Sequence, residues 1–316
     1  MRILVVGAGA IGGYFGGRLL EAGRDVTFLV RPERAARLAE TGLVIESPFG
    51  NATLTSPPTI LAAELREPFD VVLLTCKAYD LEAAIDAFVP AVGPRTVVVP
   101  LLNGLRHLDV LDERLGAGRV LGGLCLISAR LDPAGRVVHL GDVHELSFGD
   151  RSGELAPRVQ AVARALAGAT FECRASDAIL LEMWEKWVFL ATLAGITCLM
   201  RAAIGDIVAA GGADLTVSLL EECQSVAAAA GWPPRPAFLE SALGRLTAGG
   251  STLIASLLND VERGGRTEAD HILGDLLQRR GGLAQGDHSL LRLAYTAIKA
   301  SQARAARERN SGAMGP

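Results

Sequence analysis

The chain has 316 residues, which at about 150 residues per domain favours two domains over one. Half of the residues are hydrophobic and 21% are charged, a globular balance that excludes a disordered chain. A net charge of −4 carries no basic excess, so nucleic acid is not an expected partner; 36 glycines without a triplet repeat exclude collagen and point to tight turns or ligand loops. Residues 3–6, Ile-Leu-Val-Val, read as a buried strand, followed by a glycine cluster, a helix over 10–22 ended by Gly23, and a second strand over 26–30. The glycines also argue against a secretory signal in this stretch. Short apolar runs at 71–74 and 96–99, separated by a helix near 81–88, continue a pattern of parallel strands with crossover helices.

From about 120 to 148 the pattern becomes strand-like, with turns at Asp132-Pro133 and Gly141-Asp142, and predicts antiparallel strands that extend the sheet. Beyond Ser176 only helical patterns follow, over 177–200, 212–230, 236–246, 252–263, 267–278 and 289–307. The fold class is therefore an α/β Rossmann-type N-terminal domain, a parallel sheet plus an antiparallel extension, and an all-α C-terminal domain. The boundaries are 1–172 for dinucleotide binding and 173–316 for a helical substrate or catalytic domain, with the polar tail after about 304 expected to fray. The greasy stretch 188–200 is too short to span a bilayer, so no membrane is expected. Five cysteines without a C-x-x-C pair read as small buried hydrophobes in a reducing cytoplasm, and the scattered histidines suggest no metal site.

Gly7, Gly9 and Gly12 form G-A-G-A-I-G between the first strand and first helix. In this βαβ setting Gly7 allows the tight turn, Gly9 lets the backbone approach a pyrophosphate, and Gly12 lets helix pack on strand. The helix start at Ala10 and Ile11 offers N–H groups and a positive dipole end to phosphate. At the end of the second strand, where an acid would select NAD, the sequence has Arg31-Pro32-Glu33-Arg34. A guanidinium fits a 2′-phosphate, so NADPH is the expected cofactor. Two further loops follow strand ends, Thr75-Cys76-Lys77-Ala78 and Leu101-Leu102-Asn103-Gly104, where ligands of an open parallel sheet gather.

In the helical half, Lys186 lies in Trp184-Glu185-Lys186-Trp187 with Phe189, Leu190 and Leu193 on its face. It reads either as a surface lysine paired with Glu182 one turn back or as a partly desolvated ammonium suited to donating a proton. Later come Ser256 and Asp260, then Thr267-Glu268-Ala269-Asp270. Thr267 with Asp270 reaching back resembles a capping box, leaving Glu268 as a first-turn acid or a substrate-facing carboxylate.

Jointly, I-L-V-V-G-A-G-A-I-G-G, T-C-K-A, L-L-N-G, W-E-K-W and S-L-L-N-D…R-T-E-A-D resemble the ketopantoate reductase (2-dehydropantoate 2-reductase) family over residues 1 to about 300. The resemblance implies a Rossmann domain followed by a helical domain, with NADPH and a small 2-oxo acid meeting in a cleft. Carried over by position, Gly7, Gly9, Ala10, Ile11, Gly12, Arg31, Lys77 and Asn103 are cofactor-side residues. Lys186 and Glu268 resemble the catalytic pair, and Asn103, Ser256 and Glu268 the substrate-side residues. The sequence departs from the family pattern at Leu190, Ala194 and Leu273, where side-chain amides are usual. Thr192 or Thr197 are possible replacements. The function expected is NADPH-dependent reduction of 2-dehydropantoate or a related 2-oxo acid to the 2-hydroxy acid, in pantothenate biosynthesis. The alternatives are another two-domain NADP-dependent hydroxyacid dehydrogenase and a non-catalytic NADPH sensor. A cytoplasmic homodimer is compatible with the greasy helical half.

Overall fold

The N-terminal apolar run forms β1 (Arg2–Val6), and α1 (Ala10–Glu21) returns the chain to β2 (Asp25–Leu29), the expected crossover. The structure, a computed structural model, describes residues 1–281 and 289–312, with the side chains of 310–312 excepted. It forms two units, Met1–Leu102 with His107–Leu180 and Asn103–Arg106 with Leu181–Pro316.

In the first unit the chain continues through α2 (Pro32–Thr41), β3 (Leu43–Glu46), β4 (Ala52–Leu54), β5 (Thr59–Ile60), β6 (Val71–Leu74), α3 (Leu81–Phe88) and β7 (Val97–Pro100). Then come α4 (Arg106–Leu115), β8 (Gly122–Leu131), β9 (Val137–Gly149), α5 (Pro157–Leu166) and β10 (Glu172–Ala175). One sheet has the order β5-β2-β1-β6-β7 and is parallel throughout, with Val5 opposite both Phe28 and Leu73. Helices cover such a sheet on both faces, which is why β1, β6 and β7 are written as unbroken apolar runs. The chain order reverses between β1 and β6, so the loops leaving these two strands flank the switch point where such sheets take ligands.

The antiparallel strands do not lengthen this sheet. β8 and β9 belong to a second one, of order β10-β9-β3-β4 with β8 on β9, whose bulge falls at Ile127/Ser128. The reason is β9, which pairs parallel with β3 and β10, neither of them expected from the sequence. An isolated bridge between Val98 and Val120 pairs this region with β7. α1 lies between the sheets and is glycine-lined on both sides. A Cβ at Gly16 would lie 2.5 Å from the Phe28 ring, and one at Gly17 would lie 2.6 Å from Ile45.

The second unit holds most of α6 (Ile179–Met200), then α7 (Ile204–Ala209), α8 (Ala213–Ala229), α9 (Pro236–Leu246) and α10 (Ser256–Glu262). A π-helical turn (Asp270–Gly274) runs into α11 (Asp275–Arg279), and α12 (Leu290–Gly312) closes the described chain. The division between units falls inside α6, later than residue 172, because Glu172–Ala175 pair with β9. Residues 252–255 are not helical as expected: their neighbourhood caps α7, with Ile204 N–H donating to the Leu253 carbonyl and Gly205 N–H to that of Ser251. Within the described residues the tail after 304 is written as helix. The Arg304–Glu308 pair at 2.8 Å and an Arg309 bond to the Gly264 carbonyl, also at 2.8 Å, hold α12 through Gly312. Residues 313–316 lie outside the described chain. Among the described residues no helix is long and apolar enough to cross a membrane, and no cluster of side chains could hold a metal ion.

Candidate active site

The glycine loop is built by contacts the residue types make unavoidable. Gly7 has φ +97° and its N–H donates to the Leu29 carbonyl at 2.9 Å, so the chain turns sharply off β1. A Cβ at Gly12 would overlap the Gly7 carbonyl and the Thr75 hydroxyl. Thr75 in turn donates to the Val6 carbonyl at 2.8 Å, bracing the loop from the end of β6. A side chain at Gly9 would meet no protein atom within 4 Å, and α1 begins at Ala10 and Ile11 with no side-chain cap and no acid in its first turn. Open space before a helix start is the shape a dinucleotide pyrophosphate needs, so these residues fit such a cofactor.

Arg31 ends the second strand region as the residue before α2, with its side chain 74% exposed and paired with Asp80 at 3.2 Å. Lys77, also exposed, immediately precedes the short turn Ala78–Asp80 that carries this acid. A second guanidinium escaped the sequence reading. Arg34 donates from Nε to the Ala8 carbonyl at 2.9 Å and from Nη1 to the Gly135 carbonyl at 3.0 Å, tying the glycine loop to the β8–β9 turn. Its Nη2 is buried without a partner, and burial, helped by nearby Arg37, lowers its pKa. The second arginine of R-P-E-R was the available signal.

In the second unit, three of the four residues of W-E-K-W are buried anchors. Glu185 accepts from the Arg235 backbone N–H at 2.9 Å and from its Nε at 2.8 Å, while Trp187 donates to the Ile272 carbonyl at 2.8 Å. Trp184 and Trp187 both lie under the Arg279 guanidinium, which is 5.9 and 5.6 Å from their ring centres. These contacts fix the rotation of α6 and leave Lys186 half-buried, with Leu190 half-buried one turn on and Ala194 buried. The same Trp187 bond joins the lysine's helix to the segment bearing Glu268, which is 6% exposed. Leu273 is wholly buried in that segment.

The hydroxyls of Thr192 and Thr197 do not stand in for the missing amides. Each is buried and donates back into α6, to the Val188 carbonyl at 2.9 Å and the Leu193 carbonyl at 2.6 Å. Thr197 also accepts from Ala255 N–H at 3.5 Å. Ser256, exposed, opens α10 beside that contact, about three helical turns along α6 from Lys186. The expected capping box is absent as well. The Thr267 hydroxyl accepts from Ala269 N–H at 3.3 Å and Gln302 at 2.9 Å, but Asp270 turns to Tyr295 and Lys299, at 2.6 and 2.9 Å. Burial works against its charge, yet these bonds hold its carboxyl below the usual range, and burial with the Asp270 bond pushes the Tyr295 hydroxyl to about 12.

Asn103 belongs with this helical unit rather than with the parallel sheet whose last strand precedes it. Its backbone carbonyl meets the ring of buried His271, a residue the sequence reading passed over.

The order of glycine loop, lysine helix and Glu268 segment has a counterpart among known proteins. The family model for Ketopantoate reductase PanE/ApbA matches residues 3–153, and the model for its C-terminal part matches residues 178–302. The chain belongs to the ketopantoate reductase family, and it is an oxidoreductase. An uncharacterized oxidoreductase of Bacillus subtilis, YkpB, is 39% identical over 280 residues, 88% of this chain and 92% of the relative. The crystal structure of 2-dehydropantoate 2-reductase from Geobacter metallireducens superposes with a TM-score of 0.84 at 27% identity, covering 95% of this chain and all of the other. At 21% identity and a TM-score of 0.84, over 96% of this chain and 99% of the other, D-mandelate dehydrogenase in a ternary structure with NADH and anilino(oxo)acetate shares the fold.

Proposed function

We propose that this protein is an NADPH-dependent reductase of a small 2-oxo acid, with 2-dehydropantoate as the first substrate to test. The observation that carries the reading is the W-E-K-W turn of α6. Trp184, Glu185 and Trp187 are spent as anchors, and Lys186 alone of the four keeps a half-buried side chain on a helix bonded to the Glu268 segment. Gly7, Gly9 and the start of α1 hold the pyrophosphate, Arg31 takes the 2′-phosphate, and Lys77 serves the cofactor side. When bound, the dihydronicotinamide supplies a hydride to the carbonyl carbon. Lys186 Nζ hydrogen-bonds the carbonyl oxygen, holds it polarised and gives a proton to the alkoxide as it forms. Glu268 anchors a substrate hydroxyl or tunes the lysine, while Asn103 and Ser256 orient the substrate. The product is the 2-hydroxy acid.

Leu190, Ala194 and Leu273 favour a second reading of the substrate. With Thr192 and Thr197 bonded to their own helix, no amide on this face of α6 grips a hydrophilic acid, and a 2-oxo acid with a more apolar substituent suits it better. A buried polar group left without a partner costs ~1–3 kcal/mol, about ten- to hundredfold in the specificity constant. A panel of 2-oxo acids read by NADPH absorbance tests both. A kcat/KM for 2-dehydropantoate at ~10⁵ M⁻¹s⁻¹ or above, exceeding the rest of the panel, selects the first reading. A bulkier apolar acid in the lead selects the second, and no turnover with any member points to an NADPH sensor.

A further inference from the structure

We infer that His271 is a positioning residue that ties the Asn103 loop to the segment carrying Glu268, so that one buried ring sets the place of two residues of the site. The inference rests on the reductase reading. His271 opens onto the loop from the π-helical turn, and it is 7% exposed. A ring N–H donates to the Asn103 backbone carbonyl. Gly104, next in the loop, has φ +73°, and a Cβ there would lie 3.1 Å from the ring's Cδ2 and 3.0 Å from the His271 carbonyl oxygen. The glycine is thus required twice over, by its backbone angle and by the closeness of the ring. The π-helical turn that carries the ring widens the helix between Asp270 and Gly274, a local departure that often marks a functional segment.

Three charged groups act on the imidazole. Glu268 lies three residues before it and Asp275 four after, 6% and 5% exposed, and Arg106 acts from the first residue of α4. Asp275 is bonded to Arg279 at 3.1 Å, while neighbouring Asp270 is taken by Tyr295 and Lys299 of α12. Burial outweighs the two carboxylates and holds the ring's pKa below its ordinary 6.5. A neutral imidazole has one N–H to give. It is given to the Asn103 carbonyl, so the ring fixes the loop from the segment that carries Glu268. Protonation would add a second donor and a charge beside Glu268.

Two variants and one spectroscopic measurement test this. His271→Gln keeps a donor for the Asn103 carbonyl, whereas His271→Phe keeps the bulk without it. The phenylalanine variant is expected to lose about tenfold or more in kcat/KM, chiefly through KM, with most of the loss restored by glutamine. The wild-type acid limb of the kcat/KM profile, set by protonation of the ring, should vanish in both. Independently of turnover, the His271 imidazole resonance, assigned by its loss in His271→Gln, should titrate below 6.5 and move lower in Glu268→Gln, which removes a charge that raises it. Titration at or above 6.5, or indifference to Glu268→Gln, overturns the inference. So do equal losses of melting temperature in both variants with an unchanged pH profile. If no 2-oxo acid is reduced by the wild-type protein, the reductase reading fails by itself. The resonance and the NADPH affinities of the two variants then decide on His271, with equal affinities for phenylalanine and wild type counting against it.

Discussion

At the scale of single residues, the proposed preference for NADPH rests on Arg31 and its partner. The guanidinium is exposed and already beside Asp80, so its contact with a 2′-phosphate is won against a neighbouring carboxylate and against solvent. Arg31→Ala is expected to narrow the preference for NADPH over NADH by about tenfold, ~1.4 kcal/mol, mainly by weakening NADPH. Asp80→Asn should widen it by removing the competing acid. Binding titrations of both cofactors check the pair, and a preference unaffected by Arg31→Ala returns the selector role to another residue. Lys186 is the second side chain on which the proposed function rests. Glu185 and Trp187 hold α6 in place, so Lys186→Ala should leave the melting temperature and NADPH affinity nearly unchanged while turnover falls by about 10² or more. A variant that keeps most of its turnover would mean that some other group protonates the alkoxide.

At the scale of elements, α1 shows why glycines cluster near the N-terminus. Gly12 faces the glycine loop and Thr75, Gly16 faces Phe28 of β2, and Gly13 and Gly17 face Val137, Leu43 and Ile45 of the second sheet. The obstacles differ in kind. At Gly12 the obstacle is a backbone carbonyl, which cannot swing aside, whereas at Gly17 it is the end of the Ile45 side chain, which can. Gly12→Ala should therefore destabilise the protein by more than ~3 kcal/mol and abolish dinucleotide binding, while Gly17→Ala costs ~1 kcal/mol and leaves binding intact. Urea unfolding of the two variants, with NADPH titration, measures both. Equal effects would show that α1 shifts freely between the sheets.

For the whole molecule the common feature is a set of histidines kept neutral by burial. His139, His144 and His271 all have pKa values held below 6.5, first by burial, with Arg18 adding to the effect at His139 and His144 and Arg106 at His271. Because the unfolded chain takes up these protons first, stability is complete above pH 6.5 and is lost as pH falls from 6.5 through the lower folded values. Thermal unfolding should thus give a flat melting temperature from pH 7 to 8 and a declining one below 6.5. A maximum near pH 5.5 would contradict the shared direction of these shifts.

The sequence by itself determined the glycine loop, the parallel strands and the lysine helix, because each is local: a strand, a turn that only glycine can make, and an apolar face at helical spacing are written in consecutive residues. The order of motifs carried the family as well. Only the tertiary structure decided that β8 and β9 form a sheet apart, since β9's partners β3 and β10 are distant in the chain and too short to be read alone. Gly13, Gly16 and Gly17 were legible as an excess but not as a surface, for nothing local says that α1 lies between two sheets. Arg34 and His271 stayed hidden for the same reason. Arg34's partners are 26 residues back and 101 residues ahead, and the ring of His271 meets a loop that belongs, by sequence, to the far end of a strand. Periodicity reports what a residue's own element does with it, whereas a buried polar contact is chosen by whichever carbonyl or charge the rest of the chain brings near.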